Sequence, residues 1–374
     1  GRGDTRAAPP VDVTARRVLV AAGGTAGHVM PALAVAEELV RAGAEVTFAG
    51  TSGRAEAEIV PAAGYAFDAF RVQGLPRRGS LRLARALAVD VSAPVACARI
   101  LRRRRPHAVL GGGGFVAGPM LLAARALGIP RVLTEADAHL GLANRLAAPL
   151  ADRVFLAYAL PGREPPHYEV VGRPVLRAYF ETTRAGARAE LGISADVFVL
   201  AVFGALAGAR RINDASVAAY GAGGMDGGIV LHVTGTRDHD DVARAVTASP
   251  ARYRTIASTD RFWTVLAAAD LAVSRAGGTV WELAAAGLPA LLVPYPHATG
   301  DHQHANARHF AAAGGAVIVE DAALDGESLR SFVSDLRAEP DRLEEMRAGM
   351  RACARPEAAA RVARELLRLA QGRR

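Results

Sequence analysis

Short apolar runs that end in glycine and lead straight into helical segments recur along this chain, and they come in two sets. Residues 17–22 (RVLVAA) feed Gly23-Gly24-Thr25-Ala26-Gly27-His28. Residues 31–42 then carry helical apolar spacing, Gly43 stops that helix, and residues 45–49 begin a second strand. Residues 107–110 and 131–133 extend the series, with a helix over 119–127 between them. The rhythm restarts at residues 198–203 (FVLAVF) and continues through strands at 228–234, 271–274 and 290–294. Strands that are apolar throughout, instead of alternating, are covered on both faces, so each set predicts a parallel sheet between helix layers. The break falls near residues 172–174, after the Pro-rich stretch 161–166.

The 374 residues fit two domains of roughly 100–200 residues each. Residues 1–14 read as a disordered leader, 15–174 as an N-terminal domain and 175–355 as a C-terminal domain. Residues 356–374 read as a closing Ala/Arg/Leu helix that packs back on the N-terminal domain. Aromatic residues are only 5% of the chain, so the cores must be built from Ala, Val and Leu. The net charge is +8 and every basic residue is Arg, which removes the Lys that a Walker A loop or a Schiff base requires. Cys97 and Cys353 have no metal-type spacing and read as buried thiols of a reducing compartment. No apolar run approaches the roughly 18 residues needed to cross a bilayer. The expected location is therefore cytoplasmic or membrane-peripheral.

The loops carry the chemistry. In the first, glycines allow close backbone approach, and His28 at the loop mouth has the neutral-range pKa of a general base. The second, Gly111-Gly112-Gly113-Gly114-Phe115, is entropically costly and implies a ligand or another chain segment close by. Glu135, Asp137 and Asn144 follow a buried strand and suit acid–base or hydroxyl-binding work. Surface acids are the other reading. In the second half, Gly204 and Gly208 precede Arg210 and Arg211, and Arg275-Ala276-Gly277-Gly278-Thr279 leads a helix carrying Glu282. Such a loop suits a diphosphate, with Glu282 placed for ribose hydroxyls. Asp301 and Gln303 suit sugar hydroxyls. Three histidines nearby, His297, His302 and His304, are not taken as a metal site.

In combination and order, GGTAGHVMPALAVAEEL, GGGGFVAGP, the Glu135–Asn144 segment, GARRIND, RAGGTVWELAAAGLPALLVPYP and DHQHANA resemble the MurG family over about residues 17–320. That family has the GT-B fold, two Rossmann-like parallel-sheet domains facing across a cleft. It transfers N-acetylglucosamine from UDP-GlcNAc to lipid I. The resemblance implies an inverting transfer with no metal or cofactor. His28 and Glu135 would be catalytic. Gly24, Thr25, Gly27, Gly113, Gly114, Asp137 and Asn144 would face the acceptor. Arg177, Gly204, Gly208, Arg210, Arg275, Gly277, Gly278, Thr279, Glu282, Asp301 and Gln303 would face the donor.

Departures from the family pattern touch both sides. The donor loop reads Gly204-Ala205-Leu206-Ala207-Gly208 where the family has Gly-Gly-Ser-Gln-Gly. The hinge reads Gly172-Arg173-Pro174-Val175-Leu176, with Arg177 one place after the usual Arg. Three other readings follow from the same residues: transfer to a specialised-metabolite acceptor, a sugar-nucleotide epimerase, and a non-catalytic UDP-sugar-binding relative. The stretch 74–105 interleaves Arg77, Arg78, Arg82, Arg85, Arg99 and Arg102 to Arg105 with leucines, the pattern of a surface that adsorbs to anionic lipid at the inner face of the plasma membrane. A solvated helix face is the alternative. Nucleic acid is not expected as a partner, because no aromatic stacking residues accompany the arginines.

Overall fold

The structure, a computed structural model, describes residues 15–72, 81–204 and 209–372, without the side chains of 81–91 and 299. The expected leader, Arg77, Arg78 and Gly208 lie outside the described residues, as do the side chains of Arg82 and Arg85. The first set of elements is β1 (Arg17–Ala21), α1 (Ala26–Arg41), β2 (Glu45–Gly50), α2 (Ala55–Ala62), β3 (Ala66–Ala69), α3 (Leu81–Arg104), β4 (Ala108–Gly111), α4 (Ala117–Ala126), β5 (Arg131–Glu135), α5 (Leu142–Ala147), β6 (Arg153–Leu156) and β7 (Tyr168–Val170). The second set is α6 (Ala178–Glu181), α7 (Arg184–Leu191), β8 (Phe198–Phe203), α8 (Arg210–Tyr220), β9 (Gly228–Val233), α9 (His239–Ala245), β10 (Tyr253–Ile256), α10 (Phe262–Ala268), β11 (Leu271–Ser274), α11 (Val280–Ala286), β12 (Ala290–Leu292), α12 (His302–Ala312), β13 (Ala316–Ile318), α13 (Gly326–Ala338), α14 (Pro340–Cys353) and α15 (Ala358–Gln371).

The strands form two wholly parallel sheets, ordered β3-β2-β1-β4-β5-β6-β7 and β10-β9-β8-β11-β12-β13. In each sheet the order reverses beside its first strand, between β1 and β4 and between β8 and β11. Loops leaving the carboxyl ends of such a pair diverge to opposite faces and open the crevice where α/β sheets bind ligands. All four glycine loops read from the sequence leave these four strands.

One helix boundary differs instructively from the sequence reading. The spacing and Pro31 point to a helix over residues 31–42, but α1 starts at Ala26 and runs through Pro31. His28 therefore sits in the first turn of α1. Proline in a helix removes the N–H that would bond the carbonyl four residues back. Here that carbonyl belongs to Gly27, and Arg173 supplies the missing donor at 2.6 Å.

The closing helix α15 lies on α1, burying Val362, Ala363, Leu366 and Ala370 with Val29, Val35 and Leu39. Arg361 also grips Glu169 beside β7 with two bonds of 2.8 and 2.9 Å. The joint between the sandwiches is packed. Ala157 and Tyr158 from beyond β6 join the core of the second sandwich, and Trp281 Nε1 donates to Tyr158 Oη at 2.8 Å. Among the described residues, no helix is long and apolar enough to cross a membrane.

Candidate functional site

The first loop is shaped by a residue the motif reading passed over. Glu56, fully buried in the first turn of α2, accepts from Gly24 N and Thr51 N, each at 3.0 Å, and from the Thr51 hydroxyl. A Cβ on Gly23 would stand 2.3 Å from its Oε1. A carboxylate there satisfies loop N–H groups that water would otherwise have to reach. No local periodicity marks it. The available signal was an acidic residue at the N-terminus of a short helix next to the loop.

The four glycines of the second loop make room for the protein itself. A Cβ on Gly112 would meet Ala22 Cβ at 2.6 Å. On Gly113 it would meet His28 Cδ2 at 2.8 Å, and on Gly114 the Gly23 carbonyl oxygen at 2.2 Å. Gly113 and Gly114 also hold positive φ, 95° and 76°. Of the two readings of this loop, a ligand or a neighbouring segment, the structure places the neighbouring segment there. His28 is wedged between the loops, with Thr25 Oγ1 3.3 Å from its Nδ1. Burial pulls its pKa below the ordinary histidine value against the opposing pull of Asp137, and Arg173 lowers it further. The ring is thus a neutral base at neutral pH.

Glu135 and Asn144 lie next to this pair, and Asn144 Nδ2 is 3.6 Å from the position of a Gly113 Cβ. Glu135 accepts four bonds, from Ala136 N (2.9 Å), Asp137 N (3.1 Å), Gly141 N (3.2 Å) and Asn144 Nδ2 (2.8 Å). Burial, with Asp137 adding to it, raises its pKa to about 7. The carboxyl is thus wrapped by the loop that follows β5, so it is not one of the surface acids of the other reading. Asn144 Nδ2 also donates to Thr134 O at 3.3 Å, and its buried Oδ1 has no partner.

Across the gap, Gly277, Gly278 and Thr279 lead into α11. Glu282 lies in its first turn, half-exposed as a residue but with its carboxyl desolvated. Burial raises its pKa to about 7, while Arg173 and a hydrogen bond from Tyr179 pull it back down. Gln303 Oε1 accepts from Tyr295 N at 2.9 Å, with its Nε2 close to Gly277. Asp301 takes a left-handed φ of 54° and meets His304 Nδ1 at 2.5 Å.

Among the other residues expected on the donor side, Arg177 and Arg275 bond within the protein. Arg177 bonds Glu38 at 2.7 Å and Glu181 at 3.0 Å, because its position in the connection turns it toward α1. Arg275 is spent on Asp321 (2.5 Å) and the Val293 carbonyl (3.1 Å). Arg210 is exposed and 4.0 Å from Asp214, one turn along its own helix. Gly204 is needed for its own turn, since a Cβ there would lie 2.2 Å from Ala209 Cβ.

Three contacts tie the sandwiches together over this gap. Arg173, 5% exposed, donates to Gly27 O and Ala136 O while its guanidinium rests against Gly278. Asn306 accepts from Ala138 N (3.2 Å) and donates to Ala276 O (3.1 Å). The rings of His139 and His302 stack at 5.5 Å. Arg173 and Asn306 were absent from the expected site residues. Two cavities lie outside this gap. One of about 250 Å³ is lined by Arg210, Asn213, Asp238 and Val242 between α8 and α9. One of about 600 Å³ is lined by Arg17, Arg102, Arg105 and His107, at the amino ends of β1 and β4.

Two parallel-sheet sandwiches whose switch-point loops face each other, with His28 on one wall and Glu282 on the other, define a protein of the GT-B fold. Residues 18–156 match the family profile described as glycosyltransferase family 28 N-terminal domain, and residues 199–362 match glycosyltransferase family 28 C-terminal domain. A Methylococcus capsulatus protein is 42% identical over 94% of this chain and 98% of its own length. It is named UDP-N-acetylglucosamine–N-acetylmuramyl-(pentapeptide) pyrophosphoryl-undecaprenol N-acetylglucosamine transferase. The crystal structure of Acinetobacter baumannii MurG is similar with a TM-score of 0.72 at 26% identity, covering 95% of this chain and all of that one. A UDP-N-acetylglucosamine 2-epimerase shares the fold (TM-score 0.66) at 16% identity, covering 96% of this chain and 98% of its own. The chain belongs to the MurG family of N-acetylglucosaminyltransferases.

Proposed function

We propose that this enzyme moves N-acetylglucosamine from UDP-GlcNAc to a lipid-linked muramyl-pentapeptide acceptor, with inversion at the anomeric carbon. The observation that carries the reading is His28, held between two glycine loops, with Arg173 reaching from the adjacent Gly27 carbonyl to Gly278 at the start of the Glu282 helix. The acceptor hydroxyl oxygen attacks the anomeric carbon as His28 takes the hydroxyl proton. The bond to the diphosphate breaks, and its electron pair stays on the phosphate oxygen. Glu282 holds the ribose, and Thr279 and Gln303 contact the diphosphate and sugar. Asn144, whose Oδ1 is buried without a partner, serves the acceptor side. The contacts of Arg173, Asn306 and the stacked histidines close the gap, so both substrates enter by parting of the sandwiches.

The same reading places the enzyme on the cytoplasmic face of the plasma membrane. Leu122, Leu142, Leu146 and Val95 are exposed on α3, α4 and α5, where α4 packs on both of the others, and Arg99, Arg102, Arg125 and Arg145 are exposed on the same helices. Exposed apolar side chains interspersed with arginine suit an anionic lipid surface. Arg103 and Arg104 do not contribute freely, since both pair with Asp68 at 2.7 Å.

Incubating the protein with radiolabelled UDP-GlcNAc and a short-chain lipid I analogue tests the transfer. The expected result is labelled disaccharide lipid and free UDP. Conversion of UDP-GlcNAc without acceptor would replace this reading with epimerisation. Sedimentation with phosphatidylglycerol vesicles, reduced in L142E/L146E, tests the surface.

A further inference from the structure

Arg173 stands in the connection between the sandwiches and is 5% exposed. A buried charge without a counter-ion is strongly destabilising, so buried arginines normally face a carboxylate. Among the described residues Arg173 has no ion pair. Its bonds go to two carbonyls, Gly27 O at 2.6 Å and Ala136 O at 3.3 Å. Two of its five N–H groups are used, and the rest of the fork is left for an acceptor.

The neighbours are built around this cation. Pro31 withdraws the N–H that would have claimed the Gly27 carbonyl. Gly278 lacks the Cβ that would stand 2.3 Å from Arg173 Cζ and Nη2. The guanidinium also acts electrostatically on groups from both walls, disfavouring the proton on His28 and favouring the charge on Glu282. The contacts of Arg173 set it between Gly278, which leads to Glu282, and Gly27, next to His28; on the transfer reading that is the order ribose-binding acid, cation, base at the reacting carbon. In a nucleoside diphosphate sugar the group between ribose and reacting carbon is the diphosphate.

We infer that Arg173 binds the donor's diphosphate directly and takes up the negative charge that develops there as the sugar leaves. The inference rests on the transfer reading above. As the carbon–oxygen bond breaks, its electron pair moves onto the distal phosphate oxygen, and the Arg173 N–H groups donate to that oxygen. The proton released by the acceptor goes to His28.

Calorimetric titration of UDP and of uridine into the full chain, wild type and R173Q, tests this. R173Q is expected to lose about 10-fold to 10²-fold of UDP affinity, while uridine affinity changes less than about threefold; R173K recovers part of the loss. In the transfer assay kcat falls more than KM rises, and the acidic limb moves to higher pH as His28 regains its proton more readily. A UDP-over-uridine preference that survives in R173Q overturns the inference and leaves the transfer reading standing. A wild-type protein with no preference for UDP overturns both. If R173Q shows no cooperative melt, G278A serves instead: it keeps the arginine and puts a methyl where the guanidinium lies. It is expected to reduce the same preference, and an unchanged preference again overturns the inference.

Discussion

In the N-terminal sandwich, the space a side chain would take at Gly23, Gly24, Gly112, Gly113 and Gly114 belongs to that domain's own atoms: Glu56, Phe115, Ala22, His28 and the Gly23 carbonyl. After β11 in the C-terminal sandwich the use differs. Gly277 has nothing closer than Gln303 Nε2 at 3.9 Å, and Gly278 faces a guanidinium that arrives from outside the domain. Glycine loops of similar composition thus serve opposite ends. The first pair is packed shut to hold one imidazole in place. The second keeps a space on the gap that its own domain does not fill. Glycine alone therefore does not indicate a ligand; what stands opposite it does.

This contrast can be broken at several points. The largest effect is expected at the residue the N-terminal loops hold. H28A should lower kcat by about 10²-fold or more, close to 3 kcal/mol of barrier, while calorimetry still detects UDP. An unchanged rate would mean the packed loops position nothing catalytic. Next, G114A forces a Cβ onto the Gly23 carbonyl at a φ of 76° and should cost about 2–3 kcal/mol in a denaturant melt. G277A should stay within about 0.5 kcal/mol. Equal losses from the two would erase the distinction between the loops.

E56Q puts an amide N–H₂ against loop N–H groups that need an acceptor, at a cost of about 1–3 kcal/mol in the same melt. A silent substitution would show that the loop holds its shape without the carboxylate. The smallest effect is in pH. Because His28 is shifted below the ordinary histidine value, its unprotonated form persists further into acid. The acidic limb of kcat/KM should then lie below about pH 6.5. A limb at or above that value would place the base elsewhere.

The sequence by itself determined the two parallel-sheet sandwiches, the glycine loops at their strand ends and His28 as the residue of chemical interest. The reason is local. A strand buried on both faces must be apolar throughout, and a strand–loop–helix turn must be glycine-rich, so both leave their mark within a few residues. What stands opposite each loop was decided by tertiary structure. β1 pairs with β4, setting Val18 beside Ala108, because parallel strands can be joined only through long crossovers. The contacts of His28 with Gly113, of Glu56 with Gly24 and of Arg173 with Gly27 and Gly278 therefore connect segments that share no periodicity. Glu135, Arg177 and Arg275 had the right charge for the site, and only the folded chain showed that each was already paired with its own neighbours.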